Sequence, residues 1–323
     1  MKYSAFRADM LYYFASKGGG TMRTLEYAVP AERDGQPLRN ILRGELRVSY
    51  SLLKSLKWRE GAILLNGSPA RVNAVVRAGD RVTVALSERR EAPPPAPCAL
   101  TLDVVYEDDD LLVINKPARV AMHPRRAAPE SPDMASALAA YLGDGSAAHF
   151  VSRLDKGTSG LFLAAKNGYV HDRLRVALHT EGLRREYRAV AVGRVAPEHG
   201  SIDLPIGRAE QSIVKRCVRA DGLPSRTEYE VLAQNGAFSY LRLVPYTGRT
   251  HQLRVHMAAL GHPLAGDWLY GTEDASLIDR PALHSRELWF TQPITGKELH
   301  FTAPLPEDMA RLLERLEKGE RID

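Results

Sequence analysis

The amino-acid sequence predicts an α+β fold built in two parts. Strand-like runs at 111–114, 161–164, 187–192, 227–232 and 240–244 alternate irregularly with helical runs at 135–142, 170–178 and 250–260. Several strands in succession, without regular strand–helix–strand winding, argue for α+β rather than a parallel α/β sheet. The chain of 323 residues is long enough for two domains. A stretch reading SERREAPPPAP, with prolines at 93, 94, 95 and 97, divides them. Such a stretch favours extended polyproline conformation and acts as a semi-rigid spacer, placed here at 91–98.

The first residues end in Lys17-Gly18-Gly19-Gly20-Thr21, which lacks the GxxxxGK[ST] spacing of a phosphate loop. They also lack a continuous apolar segment with a small-residue cleavage site, so no export signal is visible. Met22 reads as the functional start, and residues 1–22 as a flexible or spurious extension. From Leu38 the spacing becomes helical, with Leu38, Ile41 and Leu42 on one face and Arg39 and Arg43 on another. Ser49 is an N-cap for a second helix whose stripe is Leu52, Leu53 and Leu56. Gly61 is placed as its C′ residue. Ile63-Leu64-Leu65 followed by Asn66-Gly67 signals a hairpin. A turn at Gly79-Asp80 then leads into alternating Val82, Val84 and Leu86.

Hydrophobic residues are 44% and charged residues 26%, ordinary values for a globular protein. They exclude a disordered tail, a collagen-like chain and a disulfide-stapled miniprotein. Apolar runs are as short as Leu111-Leu112-Val113-Ile114, far below the roughly 20 residues of a membrane span. Cys98 and Cys217 lie too far apart in sequence for a zinc motif and build no disulfide framework, so a reducing, cytoplasmic setting is expected. The net charge of +5 is unevenly spread: residues 1–91 carry +7 and residues 92–323 carry −2. A basic front end on a near-neutral body points to an anionic partner.

Two short basic helices followed by small strands reading "LLNG" and "RAGDRVTV" resemble the S4-type RNA-binding domain, over about residues 37–88. The resemblance implies a small α/β RNA-binding domain at 23–90, presenting Arg39, Arg43, Arg47, Lys54 and Lys57 to structured RNA. Beyond the spacer, "LLVINKPARVAMHP" (111–124), "SRLDKGTSGL" (152–161) and "REYRAVAVG" (185–193) stand in sequence. They are followed by "GRTHQLRVHMAALGHPLAGDWLYG" (248–271) and "ALHSRELWFTQPITGKELHFTAPLP" (282–306). Their order resembles that of the RluA-type pseudouridine synthases, covering roughly 100–308. That resemblance implies a catalytic domain at 99–323, with a mixed, mainly antiparallel sheet and flanking helices.

The resemblance also implies roles. Asp155 takes the position of the family's essential aspartate, and Arg153 that of an arginine filling the space left by a flipped uridine. Tyr187 matches the tyrosine that stacks on the target base and is a candidate to help remove the C5 proton. Arg254 matches the arginine that pairs with the aspartate. Lys116 and Pro117 match a strand-end motif that supports the site. Uridine isomerisation breaks N1–C1′ and forms C5–C1′ without redox change, so no metal or organic cofactor is expected. An ionised carboxylate suits such glycosidic chemistry, and a neighbouring arginine keeps it charged. The base must leave its stack, which an aromatic face and an intruding side chain make cheaper.

His251 and His256, five apart, do not share a helix face as metal-binding HExxH histidines do. His123 and His262, each before a proline, read as loop supports. Arg249 suits either a phosphate contact or a structural cap, and Arg184, Arg185 and Arg188 either touch RNA or form a solvated cluster. Ser152, Gly157 and Arg119 depart from the family pattern, where histidine, aspartate and glycine are usual. The expected partner is structured RNA, ribosomal before transfer RNA, with a monomer as the default. The alternative is a non-catalytic RNA-binding or ribosome-assembly protein that keeps the fold.

Overall fold

A computed structural model describes residues 23–86, 100–124, 131–143, 148–180 and 182–318. The extension 1–22, the spacer 91–98 and Cys98 fall outside these residues. The front lobe holds β1 (Thr24–Ala28), α1 (Leu38–Asn40) running into a π-turn at Ile41–Glu45, α2 (Tyr50–Leu56), β2 (Ile63–Leu65), β3 (Ser68–Pro69) and β4 (Arg81–Ala85). Its antiparallel sheet has the order β1-β4-β2-β3. Leu38, Ile41, Leu42, Leu52, Leu53 and Leu56 are buried beneath it with Val82 and Val84, so the helical stripes read from the sequence are the packed faces.

Ser49 caps α2, its Oγ accepting from Leu52 N–H at 3.1 Å. Asn66 and Gly67 adopt φ 53° and 81°, the pair of left-handed residues that a tight hairpin turn needs. Gly61, however, is not the C′ residue of α2. The helix stops at Leu56, and the amides of Trp58, Arg59 and Ala62 bond carbonyls three residues back. None of residues 57–61 is buried, and Lys57 and Trp58 stand in solvent, so no packed face continues the helix before Ala62 and Ile63 re-enter the core.

The body contains β5 (Asp103–Glu107), β6 (Leu111–Lys116), α3 (Met134–Leu142), β7 (His149–Phe150), β8 (Ser159–Ala165), α4 (Gly168–Ala177), β9 (Leu183–Val192), β10 (His199–Asp203) and β11 (Ile206–Arg208). It continues with β12 (Arg216–Val218), β13 (Arg226–Gln234), β14 (Phe238–Pro245), α5 (Gln252–Ala259), β15 (Leu283–Thr291), β16 (Glu298–Thr302) and α6 (Glu307–Glu317). The large sheet runs β10-β13-β14-β9-β15-β8-β6-β5, with β16 on β15 and β7 on β8; β11 and β12 form a separate hairpin. Only the β8–β15 pair is parallel among the described strands, so the sheet is mixed and mainly antiparallel.

Strands β6 and β8 are buried on both faces: Leu111, Val113, Leu161 and Leu163 pack into one core, Leu112, Ile114, Phe162 and Ala164 into another. That double burial is why these strands read as continuous apolar runs instead of alternating ones. The register aligns Lys116, Gly160, Ser285, Tyr187, Leu243, Tyr229 and Gly200 in one row across the sheet. At Gly160 (φ +104°) a Cβ would lie 2.2 Å from the Ser285 carbonyl oxygen, so the parallel strands can pair only because the residue is glycine. The two lobes are joined by Arg23, whose Nε and Nη2 donate to the fully buried Asp110 carboxylate at 3.0 and 2.6 Å. A second link is the hydrogen bond from Ser49 Oγ to Asp172 on α4.

Candidate active site

The transverse row places Tyr187 three positions along from Lys116 and next to the loop carrying Asp155. Leu154 is buried in the core beneath, so its neighbours Arg153 and Asp155 project into a cleft of about 950 Å³. The loop closes on itself through Thr158 N–H to the Asp155 carbonyl, 3.0 Å. Two buried cations hold its next carbonyls. Lys116 Nζ donates to Pro117, Val120 and Lys156 oxygens at 2.8, 2.8 and 3.3 Å. Arg280, 2% exposed, donates to Gly157 oxygen at 3.0 Å while gripping Asp308 of α6 through Nε and Nη2. Burial and the nearby Arg280 charge pull the Lys116 ammonium down to about 7, against the attraction of Asp155. Three carbonyls nevertheless match the three donors of an ammonium.

Helix α5 supplies the other wall. His251 sits at its N-cap in the left-handed conformation, φ 58°. Arg254 Nη1 lies 3.5 Å from Asp155 Oδ2, and His251 Nε2 lies 4.0 Å from Asp155 Oδ1. Arg254 is oriented from behind: Nε and Nη2 donate to the fully buried Asp267 at 2.7 and 2.6 Å, and the guanidinium lies 5.0 Å from the Tyr270 ring centre. Burial opposes the Arg254 charge, but Asp267 and then Asp155 outweigh it and raise its pKa. Tyr270 oxygen accepts from Arg216 N–H at 2.9 Å and lies 2.8 Å from His251 Nδ1. The other ring nitrogen of His251, Nε2, is the atom facing Asp155. Burial pushes the His251 pKa down, with Asp155 opposing and Arg254 assisting.

Asp155, its side chain 27% exposed, is the one carboxylate among the described residues that line the cleft. Six arginines line it too: Arg153, Arg175, Arg185, Arg216, Arg249 and Arg254. Tyr187, 6% exposed, contributes an aromatic wall. Such a lining, six guanidinium groups and an aromatic face around one carboxylate, has the chemistry to hold a polyanion carrying a planar group.

The structure thus brings Asp155, Arg153, Tyr187 and Arg254 to one cleft, with Lys116 behind the Asp155 loop. Arg39, Arg43, Arg47, Lys54 and Lys57 are all exposed on the front lobe, outside the residues that line it. His256 is spent on structure, its ring nitrogens bonded to Thr227 Oγ1 and the Leu204 carbonyl. His262 bonds the Val192 carbonyl, and His123 packs on Phe150. Arg249 Nε donates to the Pro224 carbonyl, a structural bond made at the rim of the cleft. Arg119 keeps a left-handed backbone, φ 66°, although it is not glycine, and pairs with Asp279. A Cβ at Gly157 would stand 2.9 Å from the Pro281 side chain, so the small residue there is matched to its neighbour.

Asp267, Tyr270, His251 and Arg280 escaped the sequence reading as site components. The first two lie in the quoted "GDWLYG", so a signal was present without a role attached to it. Tyr50 and Trp58 also escaped: they are 72% and 79% exposed, with the Arg43 and Lys57 cations 5.9 and 5.0 Å from their ring centres.

Solved structures share this architecture. Human RNA pseudouridylate synthase domain containing 1 matches at TM-score 0.51 and 26% identity, over 72% of this chain and all of that one. Human RNA pseudouridylate synthase domain containing 4 matches at TM-score 0.52 and 24% identity, over 66% and 92%. The fold is that of a pseudouridine synthase. A family profile described as RNA pseudouridylate synthase covers residues 110–259, which include Asp155, Tyr187 and Arg254. The uncharacterized RNA pseudouridine synthase YjbO of Bacillus subtilis is 40% identical over 86% of this chain and 97% of its own. The ribosomal large subunit pseudouridine synthases D of Neisseria meningitidis and Vibrio parahaemolyticus are 39% and 37% identical, over 93% and 85% of this chain and 84% and 89% of theirs. The chain belongs to the RluA-type family of RNA pseudouridine synthases and is an isomerase acting on RNA.

Proposed function

We propose that the chain isomerises a defined uridine of large-subunit ribosomal RNA, with Asp155 as the essential catalytic residue. The observation that carries this is the cleft itself: the one carboxylate among the described residues lining it lies 3.5 Å from Arg254, beside an aromatic wall, in surroundings otherwise rich in arginine. In this reading the target uridine leaves its stack and lies against Tyr187, while Arg153, exposed at the rim, fills the gap it leaves. Asp155 acts at the sugar or ring as N1–C1′ breaks. Arg254, fixed by Asp267, aims the carboxylate. The freed uracil turns, C5 bonds to C1′, the C5 proton departs and N1 gains one. Product and substrate have the same composition, so the chemistry requires no oxidant or co-reactant.

The choice of ribosomal RNA draws support from relatives named as ribosomal large subunit enzymes. The front lobe, residues 23–90, is proposed to grip the same RNA through Arg39, Arg43, Arg47, Lys54 and Lys57, and the setting is proposed to be the cytoplasm. The test is pseudouridine mapping of total RNA from cells lacking the gene, complemented by the wild type or by Asp155→Asn. Loss of one large-subunit site, restored only by the wild type, is expected. Restoration by Asp155→Asn would remove the aspartate from the chemistry, and a lost site in transfer RNA would replace the substrate.

A further inference from the structure

Strand β9 carries Arg184, Arg185 and Arg188, which the sequence leaves as one basic cluster. The pleat separates them. Arg184 and Arg188 take the same face as Glu186 and are neutralised there: Arg184 pairs with Glu186 and lies 4.9 Å from the Trp289 ring centre, and Arg188 reaches Glu186 and Glu287 at 3.5 and 3.3 Å. Arg185 takes the face of Tyr187 and lines the cleft. It is only 7% exposed, its Nε is buried without a hydrogen-bond partner, and no ion pair is made to it among the described residues. Arg216, from the β11–β12 hairpin, lines the same cleft and buries an Nη1 that likewise has no partner. Its backbone N–H anchors Tyr270.

A buried guanidinium without a counter-ion is costly, and proteins keep one where a ligand supplies the charge. Among the described residues the cleft offers none: Asp155 is its one carboxylate, and it faces Arg254 and His251. The ligand must therefore bring anionic oxygens. Residues two apart on a strand stand roughly 7 Å apart on the same face, so Arg185 sits beside Tyr187 at about the reach of a nucleotide's phosphate from its own base. Planar, forked donors suit phosphate oxygens. We propose that Arg185 and Arg216 form a phosphodiester subsite that takes a phosphate flanking the uridine stacked on Tyr187. The proposal rests on the RNA pseudouridine synthase reading of the cleft and adds to it the grip on the backbone of the target nucleotide.

The test uses the full-length protein and three probes, uridine, uridine 3′,5′-bisphosphate and inorganic phosphate, titrated calorimetrically. The bisphosphate is expected to bind wild type at least tenfold more tightly than uridine. That advantage should fall below threefold in Arg185→Met, shrink in Arg216→Met and be partly kept in Arg185→Lys. Asp155→Asn should keep it in full, which separates failure of the subsite from failure of the catalytic reading. Because Arg185→Met removes an unpaired buried charge, its melting temperature without ligand should hold or rise. A melting temperature lowered by several degrees with the bisphosphate advantage intact would make Arg185 a structural residue and overturn the proposal. So would a wild type that fails to favour the bisphosphate, or one that binds inorganic phosphate as tightly as the nucleotide, which would mark a site for free anions.

Discussion

Replacing Asp267 with asparagine tests whether the orientation of Arg254 matters to the chemistry. The substitution keeps the shape of the side chain but removes the charge that two guanidinium nitrogens share at 2.7 and 2.6 Å. Arg254 has a side chain only 6% exposed and Asp267 is fully buried, so water cannot replace the lost partner. Breaking a buried pair by removing one member costs about 3–5 kcal/mol; asparagine retains one acceptor, which sets the expectation near about 3 kcal/mol. For a chain of this size that lowers Tm by roughly 4–5 °C. The guanidinium is then free to close the 3.5 Å gap to Asp155 and draw the carboxylate out of position. A misplacement of about 1 Å costs on the order of 100-fold in kcat, with KM changed little, since the remaining cleft cations are untouched. The assay is single-turnover pseudouridine formation on the mapped RNA, read below the melting range of the variant. A kcat equal to that of wild type, with Tm lowered as expected, would refute the positioning argument and leave Asp267 a purely structural partner.

Gly160→Ala should cost at least about 3 kcal/mol, because a Cβ 2.2 Å from a backbone oxygen and φ +104° add overpacking to strain; soluble yield and urea midpoint measure it. Acid should weaken the fold through its buried histidines. Burial holds the His284 ring down to about 4 from an ordinary 6.5, and burial lowers His171, His251 and His256 in the same sense. The unfolded chain takes up those protons first, so stability is full above about pH 6.5 and falls as pH drops toward 4, by about 3 kcal/mol for His284 alone. Thermal melts from pH 7.5 to 4.5 should show this slope, and His284→Gln should flatten it. The double variant Lys54→Ala, Lys57→Ala should reduce the salt slope of RNA binding by up to about two if both lysines meet phosphates. An unchanged slope would leave the front lobe's basic face without a role in RNA binding.

Much of the body was legible because its central elements are buried in simple ways. Doubly buried β6 and β8 show as unbroken apolar runs, and Tyr187, Arg254 and Asp155 stand in segments whose order is itself informative. The edge strands were not legible: β10 is largely exposed, and β11 and β12 are three residues each, too short for an alternation to register. Strand β15 escaped because its polar side chains pair with other charges, as Glu287 does with Arg188 and His300, instead of facing water. Site partners escaped for a different reason. Arg280 meets Gly157 and Asp308 at separations of 123 and 28 residues, and no local pattern encodes such a meeting. The split fate of Arg184, Arg185 and Arg188 follows from the pleat of β9, which the sequence shows only once the strand and its buried face are known.

If the front lobe grips RNA as proposed, the buried Arg23–Asp110 pair has a consequence for how targets are chosen. Because it ties the start of the front lobe to the turn before β6, the exposed face of α2 and the cleft keep a set separation. With the proposed front-lobe grip added to the cleft, two grips on one RNA at a set spacing would behave as a caliper. An RNA that offers its uridine at the matching distance engages both, and the second contact forms at high effective concentration. One that offers it nearer or farther engages only one and dissociates before its base can be drawn in. A uridine can then be selected by its distance from a feature elsewhere in the RNA, even when its own neighbours are unremarkable in sequence.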